Sequence, residues 1–450
     1  MSGAAARVRD QAERKAHGQE ARERAPRRAL GAWDPSRRAR PAVAVLRSQE
    51  DLRDAELLPV RYGRMAESPW AYLRGAAAVM ASDLASSPHT GLEVQLSGDA
   101  HVLNFGLWAT PERNLAFSVR DFDEAREGPF EWDVKRLVAS LVVLGRENAV
   151  ATRTATAAVR SAARGYGTAM ARYAQMSELD VWYDRFDADH LVQFLDPDDK
   201  EDVAARIAKR AARRTSEGAF DRLTEVVDGR RVITDEPGRR YHFDHAGQHE
   251  LVQRVYEGYR STLPYHVSRL LDRFTITDVA RQVVGVGSVG MRVYLVLLEG
   301  ESGRAPLFLQ MKQAGPSVYE DYLGPAPYPS HGARVVAGQR MMQTAPDMFI
   351  GWTSAGGWEF YVRQFRDMKV NPRAASLKGY LVQFADACAH VLAKAHARSG
   401  DPLRISTYIG KGRAWQDGLV EFATAYADQT ERDHAELVDA IANSEVEAQV

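Results

Sequence analysis

Ser97-Gly98-Asp99-Ala100-His101-Val102-Leu103-Asn104-Phe105-Gly106, followed further on by Asp121-Phe122-Asp123, constrains this chain more than any other stretch. It sets an acid, an amide five residues later and a second acid after a further seventeen. That spacing suits metal-assisted phosphoryl transfer. The first acid accepts a hydroxyl proton, the amide lends a neutral oxygen to Mg²⁺, and the later acid adds charge at the ion. Residues 105–108 and 115–119 read as short strands around a Thr110-Pro111-Glu112-Arg113-Asn114 turn. A hairpin there folds Asp121 back beside Asn104. Taken singly, a Gly-Asp pair or an Asp-x-Asp is most often just a turn; the acids, the amide and the strands between them favour a site.

A second constellation lies far downstream. Gly285-Val286-Gly287-Ser288-Val289-Gly290 is a Gly-x-Gly-x-x-Gly, the usual mark of a dinucleotide fold. Such a fold needs a helix straight after the glycines and an acid about twenty residues on. Neither follows. Val293-Tyr294-Leu295-Val296-Leu297-Leu298 predicts a strand, and a Glu299–Gly303 turn and a third strand, Leu307-Phe308-Leu309-Gln310-Met311, deliver Lys312. Strand, glycine loop, strand, turn, strand and lysine is the layout of a kinase ATP lid, whose glycines admit the phosphates and whose lysine neutralises them. Glu320 is the candidate carboxylate to hold Lys312, because the helix predicted over 334–343 carries no acid, only Gln339. Strands over 350–352 and 358–365 lead to an expected adenine-contacting hinge near Gln364.

The bulk numbers narrow the class. A chain of 450 residues, 45% apolar and 26% charged, can bury a large core in two lobes. Net charge of −1 argues against a chain built to coat nucleic acid. Cys388 is the sole cysteine, which excludes an intrachain disulfide and a cysteine zinc site. No apolar run reaches membrane-spanning length, and a cytoplasmic location without a membrane partner is the default expectation. Residues 1–40 form an Arg-, Glu- and Ala-rich arm, expected to be disordered or loosely docked. Ser68-Pro69 opens a predicted helix with Trp70, Leu73, Ala77, Met80 and Leu84 inward. Asp196–Asp199 marks a turn or helix start, and the basic run 209–214 a solvated face. Asp228-Gly229 marks a hairpin, and a helix is expected from Leu377 to about Arg398.

Gly98-Asp99-Ala100-His101-x-x-Asn104 resembles the Gly-Asp-x-His-x-x-Asn motif of aminoglycoside phosphotransferases and other small-molecule kinases. Nearly the whole chain resembles a bacterial family known as domain of unknown function 2252. The matching segments are Arg61–Met65, Arg74–Ala77, Gly98–Gly106, Asp121–Glu124, Gly128–Asp133 and Tyr361–Gln364. The kinase resemblance implies that Asp133 braces the catalytic loop through its backbone N–H groups, and that His101 positions that loop.

The expected fold is α+β, two-lobed and protein-kinase-like, with a small antiparallel sheet lobe and a large helical lobe. Since the glycine loop and lysine follow the catalytic acid, it is circularly permuted. The expected parts are a helical lobe over 41–270, a nucleotide-binding sheet lobe over 271–370, and C-terminal helices over 371–450 completing the helical lobe. The expected cofactors are ATP and Mg²⁺. Asp99 is the candidate catalytic base, and Asn104, Asp121 and Asp123 are the candidate metal ligands. Gly285, Gly287, Ser288, Gly290, Lys312, Glu320 and Gln364 are the candidate nucleotide contacts. The chain leans to an enzyme acting on a hydroxyl-bearing acceptor, a small molecule before a protein. AMP transfer and a nucleotide-sensing pseudokinase are the alternatives.

Overall fold

The computed structural model describes residues 11–449 except 196–198, 213–215, 244–245, 304–305, 366–367 and 371. The first ten residues of the arm, most of the Asp196–Asp199 turn, Arg213-Arg214 of the basic run and the hinge position after Phe365 therefore lie outside the described residues. The molecule is α+β. Its larger portion is helical, and its strands are antiparallel.

Among the described residues, one six-stranded sheet runs in the order Gly351–Ala355, Trp358–Gln364, Pro306–Ala314, Val293–Gly300, Phe274–Gln282 and Arg240–Tyr241. The three strands around the glycine loop and turn are thus sheet neighbours, with Lys312 opposite Val293 on one side and Tyr361 on the other. Side chains alternate across a strand, so this sheet has two faces to cover. One is covered by the helices Ala246–Arg260 and Tyr265–Leu271, whose Val252, Val255 and Tyr259 pack with Val296, Leu309 and Met311. The other is covered by Phe220, Leu223 and Ile233, against Ala280, Leu295, Leu297 and Phe308. Asp228-Gly229, both at positive φ, turn the hairpin that carries Ile233. The hairpin Thr224–Ile233 and the helices over 246–271 thus pack on the sheet from its two sides.

The helical portion is built on Glu131–Glu147, Thr152–Tyr173, Leu381–Ala397 and Arg413–Ala442, which pack on one another around a continuous apolar core that includes Cys388. The arm belongs to this portion too. From Gln11 to Arg24 it is a helix docked on Pro402–Ile409. Arg14 pairs with Asp401 at 2.8 Å, and Arg22 and Arg27 donate to the carbonyls of Tyr408 (3.1 Å) and Ile409 (3.0 Å). Arg38 then bridges Asp83 and Asp433, each at 2.6 Å. Of the two states expected for the arm, residues 11–40 take the docked one: carbonyls at a helix C-terminus and the carboxylates of Asp401, Asp83 and Asp433 take up its charge. The helix opened by Ser68 also breaks in two, Pro69–Gly75 and Ala77–Ala85. The carbonyls at its break go to other partners, Leu73 to Arg136 (2.7 Å) and Gly75 to Arg61 (3.1 Å).

Candidate active site

The strand Glu93–Leu96 pairs with Arg126–Pro129, and this sets residues 97–101 beside 121–125. Gly98 sits at φ +83°, where a Cβ would lie 2.2 Å from the carbonyl oxygen of Glu124. Only glycine fits there. Asp133, fully buried in the first turn of its helix, accepts from the Ser97 N–H (2.7 Å) and the Gly98 N–H (3.0 Å). It is therefore the loop's backbone brace, as the kinase resemblance implied. His396 Nε2 donates to the same carboxylate at 3.3 Å, while its Nδ1 accepts from Tyr166 at 2.8 Å. Tyr319 closes the loop from the sheet side, donating to the Gly98 carbonyl at 2.9 Å.

Asp99 is held from two directions. Arg136 donates to its Oδ1 at 2.8 Å, and Asn104 Nδ2 donates to its backbone carbonyl at 2.7 Å and its Oδ2 at 3.3 Å. The side chain of His101 is buried; burial, with Arg74 and Arg136 nearby, holds it well below the usual imidazole range, hence neutral. From Asn104 the chain runs out along Phe105–Ala109 and back along Leu115–Val119, with Phe105 opposite Val119, and so returns Asp121 to the Asn104 end.

Two carboxylates then meet. Asp123 forms an ion pair with Lys312 and accepts from the Tyr361 hydroxyl at 2.7 Å. Burial alone would push Asp123 up, but Lys312 and that hydroxyl outweigh it and hold it below the ordinary range. For Asp121 the balance falls the other way: burial, and then the charge of Asp123, push it up against the opposing charges of Lys312 and Arg363. Burial pushes Glu124 up to about 7, against the Val318 N–H it accepts from at 2.8 Å.

The glycine loop is fastened by its carbonyls. Arg64 donates to Gly285 (3.0 Å), and Arg53 to Gly287 (2.8 Å) and Val289 (2.5 Å). Gly287 and Ser288 line, with Asp99, Asp121, Asp123, Arg53 and Arg74, a polar cavity of about 50 Å³. An adjoining cavity of about 50 Å³ continues beneath the loop to Gln313 and Pro316.

The structure thus brings together Asp99, Asp121, Asp123, Gly287 and Ser288 on one cavity, with Asn104 bonded to Asp99 and Lys312 to Asp123. Gly285 and Gly290 are the ends of the loop, both at positive φ and outside the cavity lining. Glu320 is not the partner of Lys312. It lies 3.4 Å from Arg334 Nε and 3.7 Å from His331, and accepts from the Ser317 N–H. Gln364 is also outside the cavity; its N–H donates to Asp347 at 2.6 Å. Among the described residues, no three His, Cys, Asp or Glu side chains converge as ligands of one ion.

Several residues at the site were not singled out from sequence: Arg53, Arg74, Arg136, Arg334 and Tyr361. A signal existed for two of these, since Arg74 and Tyr361 fall in segments that carry the family resemblance, as does Arg64. Arg334 is the most telling omission. Its guanidinium donates to the carbonyls of Asp123 (2.7 Å), Ala125 (2.7 Å) and Gly315 (2.8 Å), tying the acidic loop to the segment after Lys312.

These features define an α+β protein with a braced acidic loop meeting a glycine loop and a buried lysine. The chain belongs to the family described as uncharacterized protein conserved in bacteria, DUF2252, whose model matches residues 53–440. No curated protein and no solved structure matches the chain. Among the described residues, no helix is long and apolar enough to cross a membrane.

Proposed function

We propose that this protein is a Mg²⁺- and ATP-dependent phosphotransferase acting on a hydroxyl-bearing acceptor, a small molecule rather than a protein, on a circularly permuted kinase-like fold. One observation carries it: Asp99, Asp121, Asp123 and the tip of the glycine loop, remote in sequence, line a single cavity, and Lys312 reaches it through Asp123. The antiparallel order of glycine-loop strands and lysine strand supports the same reading, as does the helix His331–Met342 after the lysine strand, where a kinase carries its lysine-holding carboxylate. Here that helix supplies Arg334, and the acid comes from Asp123.

The donor set fits magnesium. Mg²⁺ takes one or two carboxylates and fills its shell with phosphate oxygens and water, so a full protein cage is not required. Asp121, pushed up by burial and by Asp123, would hold the ion together with Asn104 and Asp123; the ion would neutralise phosphate charge there. Asp99, oriented by Arg136 and Asn104, would align and deprotonate the acceptor hydroxyl. Lys312 and the Gly287–Ser288 amides would hold phosphate oxygens.

A cavity of about 50 Å³ takes little more than an ion and a water, whose share of liquid is about 30 Å³. A nucleotide therefore requires the glycine loop to lift off Arg53 and Arg64. On the lysine side of the sheet, Phe308 is already covered by Leu223 and Ile233. These two contacts favour, as a second reading, a regulatory module that admits nucleotide only after a partner opens it. AMP transfer uses the same ligands and differs only in product.

Calorimetric titration with Mg-ATP, followed by an ATP-consumption screen across hydroxyl metabolites, tests the proposal. Wild type and Asp99→Asn are expected to bind alike, with turnover lost only in Asp99→Asn; Asp121→Asn is expected to lose the magnesium dependence of binding. Folded wild type that binds no Mg-ATP at millimolar concentration overturns the nucleotide site.

A further inference from the structure

A second cavity, of about 470 Å³, lies against the same hairpin that joins Asn104 to Asp121, and it shares no lining residue with the polar one. Protein interiors hold few voids larger than a water molecule, whereas small-molecule pockets span about 300–1,000 Å³. Its back wall is Leu107 and Phe117 of the hairpin. Leu191 and Phe194, at the helix Ala188–Gln193 and just after it, form one side, and Leu377 and Phe384 the other.

The remaining side is the helix Lys200–Ala212, which presents Val203, Arg206, Ile207 and Arg210 to the cavity at spacings of three and four, hence from one face. One face therefore offers alkyl surface and guanidinium together. Lys209 and Arg373 add two more cations; among the described residues no Asp or Glu lines the cavity, and Asp199 stands behind it, accepting from the lining Tyr380 at 3.3 Å. Arg210 and Arg373 lie close enough for the charge of Arg373, after burial, to pull Arg210 down.

An apolar chamber edged by Arg206, Lys209, Arg210 and Arg373 is complementary to an amphipathic anion. We propose that it binds a single-chain amphipathic anion, an acyl chain ending in a carboxylate, with the tail among Phe117, Phe194 and Phe384 and the head at Arg206, Arg210 and Arg373. This site stands independently of phosphotransfer, although its occupant would press on the hairpin whose two ends carry Asn104 and Asp121.

The test is calorimetry of the full chain with decanoate, decanol and decyltrimethylammonium, beside sedimentation with anionic phosphatidylglycerol vesicles. Decanoate is expected to bind saturably at one site, decanol at least ten-fold more weakly, the cation not at all, and vesicles not to carry the protein down. Arg206→Glu and Arg373→Glu, both at exposed positions, are expected to lower decanoate affinity at least ten-fold and leave decanol unchanged. Leu191→Trp, which fills the chamber, is expected to abolish both; if it does not fold, the two charge reversals decide alone. Absence of saturable decanoate binding overturns the proposal, as does equal binding of decanol or indifference to both reversals. Sedimentation with vesicles without binding of free decanoate overturns it in favour of a bilayer surface.

Discussion

The two cavities against the central hairpin are opposites. The polar one is small, and almost every group around it is committed: Asp99 to Arg136 and Asn104, Asp123 to Lys312 and Tyr361, the glycine loop to Arg53 and Arg64. The apolar one is roomy, and its walls stand apart. The difference follows from what each kind of group loses when a partner is missing. A buried charge or N–H without a partner costs about 1–3 kcal/mol or more, so polar walls are pulled shut. An apolar wall facing open space forfeits only weak contacts and remains open.

The sharpest break of that comparison is Asp133→Ala, which orphans two buried N–H groups and strands His396. It is expected to cost about 4 kcal/mol by urea denaturation; Asp133→Asn, which still accepts, is expected to cost less. A loss under about 1 kcal/mol for the alanine variant would show that the acidic loop holds without its brace. Next comes Lys312→Ala, which leaves the Asp123 carboxylate facing only Tyr361. Removing one partner of a buried pair costs about 3–5 kcal/mol, and about 3 is expected here because Asp123 keeps some solvent. The double variant Lys312→Ala with Asp123→Asn is expected to recover most of that loss, as a double-mutant cycle would register.

On the apolar side the expectation is a contrast. Leu141→Ala, in the closed core, is expected to cost about 3 kcal/mol, and Leu191→Ala, at the chamber wall, under about 1 kcal/mol. Equal losses would mean that the chamber is packed in solution. The smallest effect is a slope with pH. Glu124 titrates at about 7 when folded, above the ordinary glutamate value of about 4.3, so the native state holds its proton more tightly. Its stabilising contribution is complete below the unfolded value and is lost as pH rises towards 7. Glu124→Gln is expected to flatten that slope, measured as denaturation midpoints between about pH 4.5 and 7.5.

Much of this arrangement was legible before folding. Local signals did well: the β-branched, apolar run over 293–298 and the apolar run over 307–311, the Asp228-Gly229 turn, the Ser68 cap and the hairpin between Asn104 and Asp121 all depend on near neighbours. Partner choice did not. Lys312 could be assigned an acid only by proximity in sequence, which pointed to Glu320; folding brings Asp123 to it across nearly two hundred residues. Buried arginines were invisible for a related reason. Arg136 and Arg334 look like solvated helix residues, and what distinguishes them is the set of carbonyls and carboxylates they meet. The arm's composition likewise left its docking site unnamed, because many of its acceptors are carbonyls at the end of a distant helix.

The brace of the acidic loop has a consequence for the order in which the protein is made. Gly98 and Asp133 leave the ribosome early, but Tyr319 and His396, which hold them, come far later. At about 5–20 residues per second, the interval from Asp99 to His396 lasts roughly 15–60 s. For most of that time the nascent chain carries its acids without Lys312 or the glycine loop, and for all of it without His396. A polypeptide released before His396 would therefore lack parts that complete the cavity and its brace, so translation itself delays assembly of the site until that residue has been made.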